Sequence, residues 1–165
     1  MLSAAIGPMV AVLTCVAIVW ENKVMNDIIE ALDVLKSNGV DNTTIVAVAQ
    51  NILDHDGFDD LDDKKSVVLV VHTSGSTDIE ACKYDDCTFQ ADGAEYLVLD
   101  EDEMESRVED CLENLLDDCI EGADGPYFNR EAWKRDARMD GAGHILSGYD
   151  GSHDDYDDMN VFRTN

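Results

Sequence analysis

Residues 88–120 read TFQADGAEYLVLDEDEMESRVEDCLENLLDDCI, and the reading of this stretch decides the fold. Thr88–Gln90 and Glu95–Leu99 flank Ala91-Asp92-Gly93-Ala94, in which Asp-Gly is the dipeptide that closes a two-residue hairpin. Asp100 then stands as an N-cap for a long helix running to about Ile120. The helix has one apolar stripe at a 3.6-residue period: Met104, Val108, Cys111, Leu112, Leu115, Leu116, Cys119 and Ile120. A hairpin feeding straight into an amphipathic helix predicts an α+β fold, a small antiparallel sheet packed with about four helices.

Towards the N-terminus, Ser66–Thr73 (SVVLVVHT) is a β-branched run and is expected to be a buried strand, with a turn over Ser74–Thr77. Asp54–Lys65 reads as an acidic linker. Before it, Ile28, Leu32 and Leu35 recur at helical spacing behind Asn26 and stop at Gly39. Asp41 or Thr43 caps a second helix with Ile45, Val48, Ala49, Ile52 and Leu53 on its face. Lys36 is the one lysine or arginine in this helical hairpin, so the hairpin reads as packing and not as a DNA-reading helix-turn-helix. Leu2–Trp20 carries no charge and predicts a hydrophobic N-terminal helix, about long enough to reach across a bilayer. It is either a membrane-spanning or membrane-associated helix, or a leader upstream of a true start at Met25. The chain thus divides into an apolar leader (1–24), a helical hairpin with its linker (25–63) and an acidic α+β domain (64–165).

Towards the C-terminus, Gly122–Pro126 breaks the chain and Tyr127–Met139 predicts a helix. His144–Leu146 and Met159–Arg163 are expected to be a closing pair of strands around the turn Ser147–Asp158. Tyr127, Phe128, Trp133 and Phe162 are expected core residues. The predicted order is α-α-β-β-β-α-α-β-β.

The net charge is -26, from 37 Asp and Glu against 11 Lys and Arg, yet 45% of residues are hydrophobic, which excludes global disorder. Such a surface repels nucleic acid and anionic membrane and attracts basic partners. The long helix concentrates the charge: Glu101, Glu105, Glu109, Glu113, Asp117 and Glu121 recur every fourth residue. Like charges at that spacing cost a few tenths of a kcal/mol per pair, so the row costs roughly 1–2 kcal/mol. It extends about 30 Å, and the whole excess charge matches about 13 base pairs of duplex. The row reads either as a phosphate mimic, joined by Asp154, Asp155, Asp157 and Asp158, or as a solvated acidic helix face of a membrane-anchored accessory protein or of a structural domain adapted to high salt. The expected partner is a basic DNA-binding protein of a host, in the host cytoplasm, with no direct nucleic-acid binding. On this reading, replacing Glu105, Glu109 and Glu113 by Gln relieves repulsion and keeps or raises stability.

Arg130, Lys134, Arg135 and Arg138 form the basic cluster of the chain, expected to pair with the acidic surface of this chain or of a second copy, which would make a homodimer. No metal or other cofactor is expected. The aspartates of residues 54–63 and 150–158 do not follow the calcium-loop order, and Cys111 and Cys119 fall on a buried helix stripe where zinc ligation is disfavoured. Five cysteines at irregular spacing read as reduced thiols. No phosphate loop, nucleophile elbow or zinc-protease motif is present, and a non-enzymatic role is expected.

The stretch YFNREAWKRDARMDGAGHILSGYDG from Tyr127, the closing NVFRTN and the earlier Tyr96–Glu103 (YLVLDEDE) resemble small acidic proteins of phages and mobile elements. Tyr127-Phe128, Ala132, Arg135-Asp136 and the terminal Phe162-Arg163 also resemble the final segment of ArdA-type antirestriction proteins. That resemblance spans residues 127–165, and in its wider form residues 96–165. It implies a DNA mimic that inhibits a restriction–modification enzyme, a CRISPR effector or another defence protein.

Overall fold

The computed structural model describes residues 26–55, 57–61, 63–120 and 125–165, so the leader expected over 1–24 lies outside the described residues. Residues 26–37 form helix α1, followed by α2 (Asn42–Asp54), a 3₁₀ turn (Phe58–Asp60) and α3 (Lys64–Ser74). Then come β1 (Ile79–Ala81), β2 (Thr88–Ala91), β3 (Ala94–Asp100), α4 (Glu101–Cys119), α5 (Arg130–Arg138), α6 (Ala142–Leu146), β4 (His153–Tyr156) and β5 (Met159–Arg163). The class is α+β: among the described residues, six helices and one antiparallel sheet of order β1-β2-β3-β5-β4. No helix among them is long and apolar enough to cross a membrane.

Strand β3 is apolar at successive positions because it is the middle strand and both its faces are covered. Tyr96 and Val98 point, with Phe89, Ala91 and Val161, into a core shared with α1, α2 and α3. Leu97 and Leu99 point the other way, with Phe162, against α4 and α6, with Trp133 and Ala137 of α5 beside them. Pairing of Leu97 with Phe162 and Val98 with Val161 keeps the two faces in register. The result is three layers, helices on each side of one sheet.

The first correction concerns SVVLVVHT, which is helix α3 and not a strand. Val67, Val68, Leu69, Val70 and Val71 are all at most 1% exposed, so this helix is apolar all round because it is enclosed all round. Its ends decide the conformation. Asp63 accepts from the Ser66 amide at 3.0 Å and from its hydroxyl at 2.6 Å. Gly75, at φ 73°, ends the helix in the left-handed region. Two caps and burial outweigh a β preference of well under 1 kcal/mol per residue. Lys64 is carried inside at 4% exposure, its Nζ donating to the Phe58 carbonyl at 2.6 Å.

The second correction is at the C-terminus. His144–Leu146 belongs to helix α6, and the outer partner of β5 is β4, inside the stretch expected to be a turn. The real turn is Asp157-Asp158, with Asp157 at φ 59°. Gly143 explains the arrangement: a Cβ there would stand 2.0 Å from the Gly151 carbonyl oxygen, so α6 lies with its bare backbone against the loop before β4.

Other expectations hold. Asp92 (φ 50°) and Gly93 (φ 75°) close the β2–β3 hairpin as a type I′ pair. Asp41 caps α2, accepting from the Thr43 and Thr44 amides at 2.9 and 3.1 Å. Phe162 is fully buried and Trp133 packs beside it, whereas Tyr127, expected in the core, is fully exposed.

If α3 is the central core helix, Leu69→Ala costs about 2–5 kcal/mol in urea unfolding. Val46→Ala, at a position 66% exposed on α2, changes stability by no more than about 0.5 kcal/mol. Equal effects of the two would show that α3 does not occupy the core.

Candidate functional site

Helix α4 inherits its start from β3, whose last residue Asp100 accepts from the Glu103 amide at 2.8 Å. Glu101, Asp102 and Glu103 fill the first turn, where the helix dipole favours negative charge. Val108 and Leu112 are buried against the sheet, and Leu116 is buried as well. Leu115, expected on the same stripe, is 42% exposed.

The every-fourth-residue row does not run straight along this helix. Four residues advance about 400°, or 40° beyond a full turn, so the row winds by about 160° from Glu101 to Asp117. Its middle lands on α5. Lys134 is 3% exposed and its Nζ donates to Glu109 at 2.6 Å and to Glu113. Arg138 donates to Glu109, and Arg130 donates to Glu113 and, at 2.8 Å, to Asp117. The two helices form an antiparallel seam: residues 130, 134 and 138 against 117, 113 and 109. The basic cluster thus binds this chain's own carboxylates. Arg135 stands apart, paired with neighbouring Asp136.

The seam shifts its own titrations. Hydrogen bonds from Lys134, joined at Glu113 by Arg130, hold the carboxyls of Glu109 and Glu113 below the ordinary 4.5. The same bonds raise Lys134 above 10.5, and Asp117 and Glu113 raise Arg130.

The remaining expected residues divide in three ways. Glu101 and Glu105 are exposed and make no ion pair among the described residues, and Glu121 lies outside those residues. Asp158 binds Lys65 of α3 at 3.0 Å. Asp154 accepts from Thr73 of α3 at 2.8 Å and from Tyr156 at 3.3 Å. Asp155 and Asp157 are exposed. Asp154 and Asp158 therefore turn towards α3, on the sheet face opposite α4, and the two acidic groups do not merge into one surface.

Sequence reasoning placed Lys134 in a basic cluster that pairs with acids but missed its burial and its partners, Glu109 and Glu113. The signal was available, because Arg130, Lys134 and Arg138 repeat at the same four-residue spacing as Glu109, Glu113 and Asp117. Two rows of opposite sign and equal period on neighbouring helices can zip together.

The Cys87 thiol lies 3.7 and 3.8 Å from the two carboxylate oxygens of Glu103. Burial first, then Glu103 and Asp85, push its pKa up, which keeps it a protonated thiol and a poor metal ligand. Arg107 neutralises Asp85 at 2.8 Å. Among the described residues, no three His, Cys, Asp or Glu side chains converge as a metal site. No family model, curated protein or solved structure matches the chain.

The seam reverses the stability expected of Gln substitutions. Glu109→Gln with Glu113→Gln strands the Lys134 ammonium and lowers the melting temperature by several degrees. Depressed carboxyl values mean that the seam's contribution is complete above about pH 4.5 and is lost as pH falls through them. Urea midpoints of parent and double variant therefore differ most near neutral pH and converge in acid. A constant gap down to acid pH would show that the seam does not carry the difference.

Proposed function

We propose that this protein is a binding protein that fills the DNA groove of a basic partner with carboxylates, in the manner of a DNA mimic. The observation that carries this reading is the disposition of its charges. Lys65, Arg107, Arg130, Lys134, Arg135 and Arg138 are committed to carboxylates of the same chain. Glu101, Asp102, Glu105, Asp110 and Asp118 of α4 are left exposed with no ion pair among the described residues. Scarce positive charge is spent on holding the fold, and the negative remainder faces outward, where it repels DNA and attracts proteins that bind DNA.

From Glu101 to Asp118 the exposed carboxylates span about 25 Å of helix, which is roughly seven base pairs of duplex. That is smaller than the total charge suggests, because the seam and the contacts with α3 withdraw part of it. The resemblance of residues 127–165 to ArdA-type proteins supports a host restriction–modification enzyme or CRISPR effector as the class of partner. Within this reading α5 is a support: its bases hold α4 in place on the sheet while the unpaired carboxylates of α4 stay exposed.

Inhibition of DNA cleavage by a type I restriction enzyme tests the proposal. Inhibition is expected to be competitive with duplex DNA and to weaken steeply with salt. Changing Glu101 and Glu105 to Gln and Asp102 and Asp110 to Asn spares the seam. It is expected to leave the protein folded, with a melting temperature within a few degrees of the parent, because lost helix-dipole contacts at Glu101 and Asp102 oppose the relieved repulsion. Inhibition is expected to fall about tenfold or more, the scale of losing several charge-assisted contacts. A variant as inhibitory as the parent would mean that this face only holds solvent.

A further inference from the structure

Beside the C-terminal end of α3, a cleft of about 200 Å³ opens between Thr73, the sheet and the loop before β4. Its lining includes buried Tyr96 and Val161, Thr73 from the helix end, and Asp150 and Ser152 from the loop before β4. Arg163 and Asp154 stand on either side, one from β5 and one from β4.

Arg163 is unlike the other arginines. Arg107, Arg130, Arg135 and Arg138 each rest on an Asp or Glu, as expected in a chain with 37 such residues. Arg163 donates no hydrogen bond to an Asp or Glu among the described residues; Asp150, across the cleft, acts on it through charge alone. Its guanidinium lies 3.9 Å from the centre of the Tyr149 ring, and its Nε donates to the Asn165 main-chain oxygen at 2.8 Å. Stacking and the Nε bond fix the plane of the group, while its two terminal nitrogens have no partner among the described residues. A planar fork held in this way suits a carboxylate. Asp154 is the opposite element: Thr73 and Tyr156 both donate to its Oδ2, which fixes the carboxylate and leaves Oδ1 without a described partner. Asp150 is fixed similarly by the Ser152 amide and hydroxyl.

We propose that this cleft binds a small zwitterion of the amino-acid type, its carboxylate on the Arg163 fork and its ammonium on Asp154. A simple anion meets Asp150 and Asp154, and a simple cation meets Arg163. A molecule carrying both charges satisfies both sides. The volume is below the roughly 300–1,000 Å³ of drug-sized ligand sites, which limits the ligand to a few heavy atoms. This site is independent of the acidic face of α4.

Amide NMR of the isotope-labelled full chain tests the site with three probes: glycine, acetate and methylamine. Glycine is expected to shift the signals of Tyr149, Ser152, Asp154 and Arg163 together, and acetate and methylamine to bind at least tenfold more weakly. Arg163→Gln is expected to weaken glycine at least tenfold while the rest of the spectrum is retained. If that variant unfolds, the comparison of the three probes on the parent protein decides alone. Acetate binding as well as glycine would overturn the zwitterion assignment in favour of an anion site. No shift with any probe, or shifts scattered over the surface, would remove the site.

Discussion

The Lys134 ammonium, closed between Glu109 and Glu113, is the interaction on which the rest of the structure depends. Helix α4 carries nine carboxylates over 19 residues and one arginine. Its sheet-facing stripe drives it onto β3 and β5, but that burial does nothing for the repulsion along its flank. Helix α5 supplies three bases at the matching period, so the most acidic element is also the one with the most specific partner. Burying a charge is unfavourable unless it is paired, and here the pairing is twofold. Lys134 therefore fixes the placement of α5 on α4 as much as it stabilises it, because a shift of one turn in either helix would leave it facing a different set of oxygens.

This arrangement changes what net charge means for the molecule. Total charge is a property of the sequence, but the surface a partner meets is what remains after the chain has satisfied itself. Glu109, Glu113, Asp117 and Asp158 are structural acids, whereas Glu101, Asp102, Glu105 and Asp110 remain exposed. Regular spacing in a sequence does not separate the two kinds. A row at four-residue intervals also winds around its helix, so equal spacing along the chain is not equal direction in space.

Much of the fold was legible because local chemistry and packing agree. The Asp92-Gly93 turn, the Asp41 cap of α2 and the Asp100 cap of α4 each sit where hydrophobic period changes, and all three are found there. Helix α3 was misread because Val67–Val71 offers no polar face, and a run without periodicity carries no sign of helix or strand. Asp63 and Gly75 held the answer, at a separation too long for a short strand and right for three helical turns. The α6–β4 region was hidden for a different reason. Gly143 is required by a contact with Gly151, and nothing local shows which glycine answers a distant backbone. Of the expected site, its acidic helix was plain, while the withdrawal of its central carboxylates depended on a neighbour that only the three-dimensional arrangement supplies.

The position of β5 has a consequence for how the molecule comes into being. It is the final strand of the described chain, yet it lies between β3 and β4 and contributes Val161 to one core and Phe162 to the other. Both helical layers therefore remain open on one side until those residues arrive. During synthesis, chains stalled before Met159 would expose the apolar faces of β3 and α3 together, an unfinished state that cellular proteolysis recognises readily. Folding is in this sense conditional on β5.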